Sequence, residues 1–196
     1  MKRRKITATL LFLLAAAILV AAVATGILNA SRTRREALYY DTVLAAAATW
    51  QISPALVLAV IRVESDFERD AVSAAGAVGL MQLLPETFTF LRDEILKESL
   101  SPDEIFTPAV NIRYGTAYLA YLFDIFGDTD TVLAAYNAGE GRVREWLLSE
   151  GKEVGEALSE IPFPETAAYV KNVTRARREY CQKYHFKVGL RSMASR

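Results

Sequence analysis

The sequence predicts an all-α fold carried behind an N-terminal transmembrane helix, on three observations. No window shows sustained period-two alternation of apolar and polar residues, so no large sheet is expected. Apolar positions recur at helical spacing between Ser-Pro, Pro and Gly punctuation marks. The run Ile6–Leu28 is apolar except for Thr7, Thr9, Thr25 and Gly26. At about 1.5 Å per residue that run reaches roughly 34 Å, enough to cross a hydrocarbon core of about 30 Å.

The elements follow in order. Lys2, Arg3, Arg4 and Lys5 precede the apolar run, and Arg32, Arg34 and Arg35 follow it. The slight excess of positive charge before the run favours a cytoplasmic N-terminus with the body outside the membrane. A cleaved secretory signal has a shorter apolar core, of about 7–15 residues, so a retained single-pass anchor is expected; Ala22-Val23-Ala24 is the feature that fits cleavage instead. The Arg-rich stretch 32–35 reads as a short basic linker that closes this first region at residue 35. A helix over 36–50 has an apolar face from Leu38, Val43, Leu44 and Trp50. Ser53-Pro54 opens a second, since serine is a favoured cap and proline suits the first helical position; it should run to about Phe67. Pro85 opens a third over 85–98. Pro108 opens a fourth that ends near Gly127. Further helices are predicted over 129–138, 141–149 and 165–184. The body thus forms one domain over 36–185, and 186–196 reads as a tail.

Charge and rare residues narrow the function. The chain is formally neutral, but residues 1–35 hold seven basic and no acidic side chains, which leaves the body at −7. A body of that sign should not seek phosphate backbones, so nucleic acid is not an expected partner. Cys181 is the sole cysteine and His185 the sole histidine. The first cannot form an internal disulfide and reads as a small buried apolar residue. The second excludes multi-histidine metal sites and leaves Ser-His or Cys-His chemistry a single base with no motif around it. No metal or other cofactor is expected.

The second helix carries the most information. From Ala55 to Val63 it is apolar on every face, which is the pattern of a buried helix, and Arg62 and Glu64 interrupt it. Glu64 falls near its C-terminal end. Burial disfavours the carboxylate and raises its pKa, and the negative end of the helix dipole acts the same way more weakly. Such a group can stay protonated near neutral pH and donate its proton. A core glutamate satisfied by arginine or backbone is the competing reading of this helix alone.

Four further stretches bear on that choice. Glu64-Ser65-Asp66-Phe67 is followed by Ser73-Ala74-Ala75-Gly76-Ala77-Val78-Gly79-Leu80-Met81-Gln82, where two glycines allow backbone to approach a ligand closely. Asn111-Ile112-Arg113-Tyr114-Gly115 lies in the fourth helix, with Tyr114, Tyr118 and Tyr121 at a spacing that is more often core than ligand surface. Ala134-Ala135-Tyr136-Asn137-Ala138-Gly139 offers a ring and an amide at a glycine helix end, suited to an amide-bearing sugar. In Ile161-Pro162-Phe163-Pro164-Glu165-Thr166-Ala167-Ala168-Tyr169-Val170, Glu165 and Tyr169 lie four apart on one helix face.

The ordered set Glu-Ser, Gly-Leu-Met-Gln, Ala-Tyr-Asn-Ala-Gly and Ile-Pro-Phe-x-Glu-Thr-x-x-Tyr-Val resembles the catalytic domain of the soluble lytic transglycosylases over roughly residues 38–184. Leu84 stands where methionine is common, a mild exchange. The body lacks room for the large extra helical domain of some members. The resemblance implies a lysozyme-like fold related to goose-type lysozyme and a carbon–oxygen lyase acting on peptidoglycan glycan strands. It implies Glu64 as the catalytic acid and Ser65 as a residue orienting it or the substrate. Met81 and Gln82 would line the cleft, Tyr136 and Asn137 would contact sugar and N-acetyl groups, and Glu165 and Tyr169 would form another wall.

Glycoside cleavage usually needs a second carboxyl. Asp66, Glu68, Asp70, Glu86 and Glu165 are candidates that nothing in the sequence distinguishes; Asp66 points about 200° away from Glu64 on a helix. The resemblance implies instead one carboxyl acting as acid and then base, with the muramoyl 6-hydroxyl closing onto C1. A lysozyme-type hydrolase and a catalytically silent wall-binding module are the alternatives; a purely structural anchored protein would leave the glycine-rich and Tyr-Asn motifs unexplained.

Overall fold

The computed structural model describes residues 2–186, with side chains from Leu13 onward. The expected tail therefore lies, from residue 187, outside the described residues, as do the side chains of the basic tip. The chain divides into two compact units, the boundary falling between Leu38 and Tyr39.

In the first unit every described residue is helical, part of α1 (Lys2–Trp50). Residues 32–35, read from the sequence as a linker, are helical too, within a stretch between Asn29 and Trp50 that holds no glycine or proline to break it. Leu13, Leu14, Ile18, Leu19, Val20, Val23, Ile27 and Leu28 are all exposed. Mean hydropathy reaches 2.3, and among the described residues this is the one helix long and apolar enough to cross a membrane. The Thr25 hydroxyl donates to the Ala21 carbonyl at 2.8 Å, so this polar group is satisfied within the helix.

The second unit is all helix apart from turns. After the end of α1 come α2 (Pro54–Ser65), α3 (Pro85–Phe90), α4 (Pro108–Phe126), α5 (Thr129–Ala138), α6 (Glu140–Ser149) and α7 (Pro164–Tyr184). Among the described residues the only β pairing is isolated bridges, Val72 with Val78, Val78 with Leu83 and Val154 with Glu156. Proline opens α2, α3, α4 and α7, where its missing N–H would be unpaired in any case. Asp128 caps α5, accepting from the Thr131 N–H at 2.9 Å.

Two expectations are corrected. The third helix does not run to residue 98: α3 passes into a π turn over Leu91–Leu96, closed by left-handed Lys97 at φ +52°. A 3-10 turn, Pro102–Phe106, then leads into α4. The second helix stops at Ser65 rather than near Phe67, because Asp66 and Phe67 both adopt left-handed backbone, at φ +49° and +64°. That double turn sends Phe67 back into the core, 1% exposed, and leaves Glu64 on the last turn of the helix.

Residues 55–61 of α2 are at most 2% exposed, so α2 is the central strut of the main core. It packs chiefly against α7, while α5 packs against α4, α6 and α7. A smaller core of Val78, Leu83, Phe88, Leu91, Ile105 and Tyr114 holds the segment between α2 and α4. Tyr118 packs against both cores, and Met81 is fully buried in the main one. A β-carbon on Gly115 would fall 2.5 Å from the Met81 sulfur and 2.7 Å from its Cβ. Gly115→Ala should therefore cost roughly 1–3 kcal/mol by overpacking and lower Tm by several degrees. Gly141→Ala, with nothing within 4 Å of the added carbon, should be neutral or stabilising; equal Tm values for the two variants would contradict this packing.

Candidate active site

Glu64 sits where the most buried helix of the protein ends. Its side chain is partly buried, and its pKa is raised from 4.5 to about 7. Loss of hydration is the main cause, since the ionised form suffers most from burial. The Tyr169 hydroxyl acts in the opposite direction. That hydroxyl is buried and acts on the carboxyl as a hydrogen-bond donor. No second carboxylate is among the groups that shift Glu64.

Tyr136 is the other ring that senses Glu64. Burial and the carboxylate push the pKa values of Tyr136 and Tyr169 well above 10, so both hydroxyls stay protonated donors. Tyr136 donates to the Met81 carbonyl at 2.8 Å. This bond joins the end of α5 to the glycine-rich loop.

That loop is fixed by side chains read from the sequence as ligand contacts. The Ser65 hydroxyl lies 2.8 Å from the Leu80 carbonyl and 3.1 Å from that of Ile61. It thereby ties the residue next to Glu64 to the loop. The Gln82 amide donates to the carbonyls of Ala71, at 3.0 Å, and Gly79, at 2.9 Å. Gln82 itself is left-handed, at φ +46°. Three non-glycine residues thus adopt left-handed backbone, Asp66 and Phe67 just after Glu64 and Gln82 in the loop that Ser65 holds, a pattern found where surrounding structure over-determines a functional geometry. Met81 contributes its main chain to the site, while its side chain is a core contact with Gly115 and Thr116.

On the far side, Asn137 is exposed and its Oδ1 accepts from the buried Thr166 hydroxyl at 2.8 Å. Asn137 is thereby fixed to the first turns of α7, where Glu165 is exposed and Tyr169 is 7% exposed. Glu64, Tyr136 and Tyr169 form one electrostatic cluster; Ser65, Met81 and Gln82 build the loop beside it; Asn137 and Glu165 flank the junction of α5 and α7.

Asn111 was missed as a site-building residue. Fully buried in α4, it donates to the carbonyls of Val78 and Ile105, both at 3.0 Å, and accepts from the Met81 N–H at 2.8 Å. A β-carbon on left-handed Gly79 would strike its amide at 2.4 Å. The available signal was a lone amide among apolar residues, which must find partners once buried. Cys181 is buried and free, as its bland reading requires. His185 caps the C-terminal end of α7, roughly 24 Å along the helix from Tyr169. That distance removes it as a base for this site.

A family model for the transglycosylase SLT domain matches residues 41–158. The soluble lytic murein transglycosylase of Salmonella typhimurium is 39% identical over 126 residues, 62% of this chain and 20% of the relative. Membrane-bound lytic murein transglycosylase C of Actinobacillus pleuropneumoniae is 30% identical over 167 residues, 72% of this chain and 45% of the relative. The chain thus spans about a fifth of the length of the soluble relatives. Among solved structures, the 70 kDa soluble lytic transglycosylase of Escherichia coli shares 34% identity at a TM-score of 0.66, over 79% of this chain and 26% of that one. An inactive glutamate-to-glutamine mutant of the lytic transglycosylase Slt of Pseudomonas aeruginosa shares 36% identity at 0.65, over 74% and 24%.

The burial of Glu64 has a thermodynamic sign. Its folded pKa is raised, so the stability it contributes is complete below pH 4.5 and is lost as pH rises through about 7. Glu64→Gln should therefore match the parent at pH 4 and be more stable at pH 8, by up to about 3 kcal/mol. Denaturant unfolding at the two pH values checks this; a Gln variant no more stable at pH 8 would mean the carboxyl is not held against its charge.

Proposed function

We propose that this chain, which belongs to the transglycosylase SLT domain family, is a membrane-anchored lytic transglycosylase that cuts the bond between N-acetylmuramic acid and N-acetylglucosamine in peptidoglycan. The observation that carries this reading is one glutamic acid, protonated near neutral pH, faced by a buried tyrosine donor and shifted by no second carboxylate. The relatives named as lytic murein transglycosylases support the substrate.

The chemistry follows from those groups. Glu64 delivers its proton to the bridging oxygen, and the N-acetylglucosamine side leaves with a free 4-hydroxyl. Positive charge develops at muramoyl C1, where the substrate's own N-acetyl carbonyl can stabilise it. Glu64, now ionised, is stabilised by the Tyr169 hydroxyl as donor. The carboxylate then takes the proton of the muramoyl 6-hydroxyl as O6 bonds to C1. The product is a 1,6-anhydro sugar, and Glu64 ends protonated as it began. A single group that gives and then takes a proton works best with a pKa near the working pH, and about 7 meets that condition.

The other residues divide by what they hold. Tyr136 carries its ring beside Glu64 on a bond to the Met81 carbonyl. Asn137 and Glu165 are exposed and would meet sugar hydroxyl and N-acetyl groups. Ser65 and Gln82 position the wall that shields the carboxyl. The apolar helix of the first unit anchors the protein as a single span, with the basic tip in the cytoplasm and the body outside, where peptidoglycan lies.

Full-length protein in detergent, incubated with purified peptidoglycan, should release muropeptides lighter by one water than hydrolysed ones. Glu64→Gln should release none, a loss of several orders of magnitude. Hydrated reducing ends would make the protein a lysozyme-type hydrolase, and release by the Gln variant would remove Glu64 from the chemistry. Tyr136→Phe and Asn137→Ala should each lower kcat/KM and, by leaving the Met81 carbonyl or the Thr166 hydroxyl without its partner, cost about 1–3 kcal/mol of stability while the protein still folds; unchanged kinetics in both would take them out of the site.

A further inference from the structure

The charge of the body is segregated along the chain. Residues 36–165 hold eight basic and 22 acidic side chains, whereas residues 166–196 hold eight basic and one acidic. The overall −7 conceals this division. Lys187, Arg191 and Arg196 lie outside the described residues; Lys171, Arg175, Arg177, Arg178 and Lys183 belong to α7. Lys171, Arg175 and Arg178 are exposed, as is Gln182. These four recur at spacings of four, three and four, so they form one stripe about 16 Å long on the solvent side of the helix.

The stripe lacks the acidic partners that would neutralise it. Lys171 and Arg178 pair with no carboxylate among the described residues. Arg175 donates to the Asn172 side-chain oxygen at 3.0 Å, a neutral group. Glu179, the one acidic residue of α7 after Glu165, is taken by Arg62. Asp130 of α5 flanks the helix, accepting from the Thr174 hydroxyl at 3.5 Å. The other face of α7, with Tyr169, Val173, Ala176 and Tyr180, is buried, and the helix packs chiefly on α2. α7 has no apolar face left to insert into hydrocarbon, so it can meet a partner only through its cations. A row of long cationic side chains suits a surface of many anionic groups, as lipid head groups present. The apolar run of the first unit, read above as the anchor, brings such a surface to the body by connectivity alone and raises its effective concentration there.

We propose that the stripe of Lys171, Arg175 and Arg178 docks the body on anionic phospholipid head groups of the membrane that holds the anchor. This rests on the anchored reading above and adds a second contact to it. Tyr169 and Arg178 are nine positions apart, two and a half turns, so they point to opposite sides of α7. Docking through the stripe therefore leaves the Glu64 side of the helix turned away from lipid, toward peptidoglycan. The contact is electrostatic and exposed, so salt weakens it.

The test places a dye at Gln182→Cys in full-length protein that also carries Cys181→Ala, inserted in nanodiscs whose lipids include a headgroup spin label that quenches on contact. Discs of phosphatidylcholine are compared with discs in which about a third of the lipid is phosphatidylglycerol. Quenching should be about threefold stronger in the anionic discs at about 50 mM salt, and should fall to the phosphatidylcholine level at about 500 mM. Lys171→Gln, Arg175→Gln and Arg178→Gln together should abolish the gain with Tm unchanged, while Arg175→Lys with Arg178→Lys should keep it. Equal quenching in both lipids would overturn the proposal, as would a gain that survives the three glutamines. Equal quenching, with the triple variant alone losing retention on isolated anionic wall, would assign the stripe to a wall polymer and would overturn it too. Docking and anchoring fail separately. Protein that alkaline carbonate washes off vesicles is not anchored; if that protein, added from outside, still binds only vesicles containing phosphatidylglycerol, the anchor falls and the stripe stands.

Discussion

A carboxyl group at the end of a fully buried helix is the constraint on which the rest depends. Seven consecutive residues of α2 are at most 2% exposed, so whatever side chain closes that helix is partly withdrawn from water. For alanine this would matter little. For Glu64 it means that ionisation opposes folding, and the protein holds the group in place through its neighbours. Main-chain bonds from Ser65 and Asn111, the left-handed turn at Asp66 and Phe67, and the Tyr136 bond to Met81 all fix the enclosure around it. Each costs strain or ordering, and together they give a proton donor that is charged only part of the time near neutral pH.

The walls of the site are accordingly less a set of ligand contacts than a set of braces. Gln82 and Ser65 use their polar atoms on backbone carbonyls, and Thr166 fixes Asn137. What reaches solvent is smaller: Asn137 and Glu165 are exposed, Glu64 and Tyr136 are partly buried, and Tyr169 stays buried. Preorganisation of this kind lets charge develop on a substrate without the protein having to rearrange.

Much of this was legible in sequence because its signals are local. Proline at the first helical position set the starts of α2, α3 and α4, and Gly127 set the end of α4. The all-apolar run from Ala55 with one glutamate at its end marked both the central helix and its acid. The misses arise where long-range packing decides. The π turn at Leu91–Leu96 and the 3-10 turn at Pro102–Phe106 belong to the small second core, which no periodicity announces. Asn111 gains its importance from carbonyls 33 and 6 residues away. Tyr118 and Tyr121 sit at core-like spacing but border a hollow, because the residues opposite them come from α3 and α6.

The account turns on the ionisation of one side chain, and that can be observed directly. A carbon-13 NMR titration of glutamate carboxyls, with Glu64 assigned by its disappearance in Glu64→Gln, gives the midpoint for that group in the folded protein. The account predicts a midpoint near pH 7, moving higher in Tyr169→Phe as the opposing donor is removed. A midpoint near 4.5 would show a solvated, ordinary carboxylate and would contradict Glu64 as the acid.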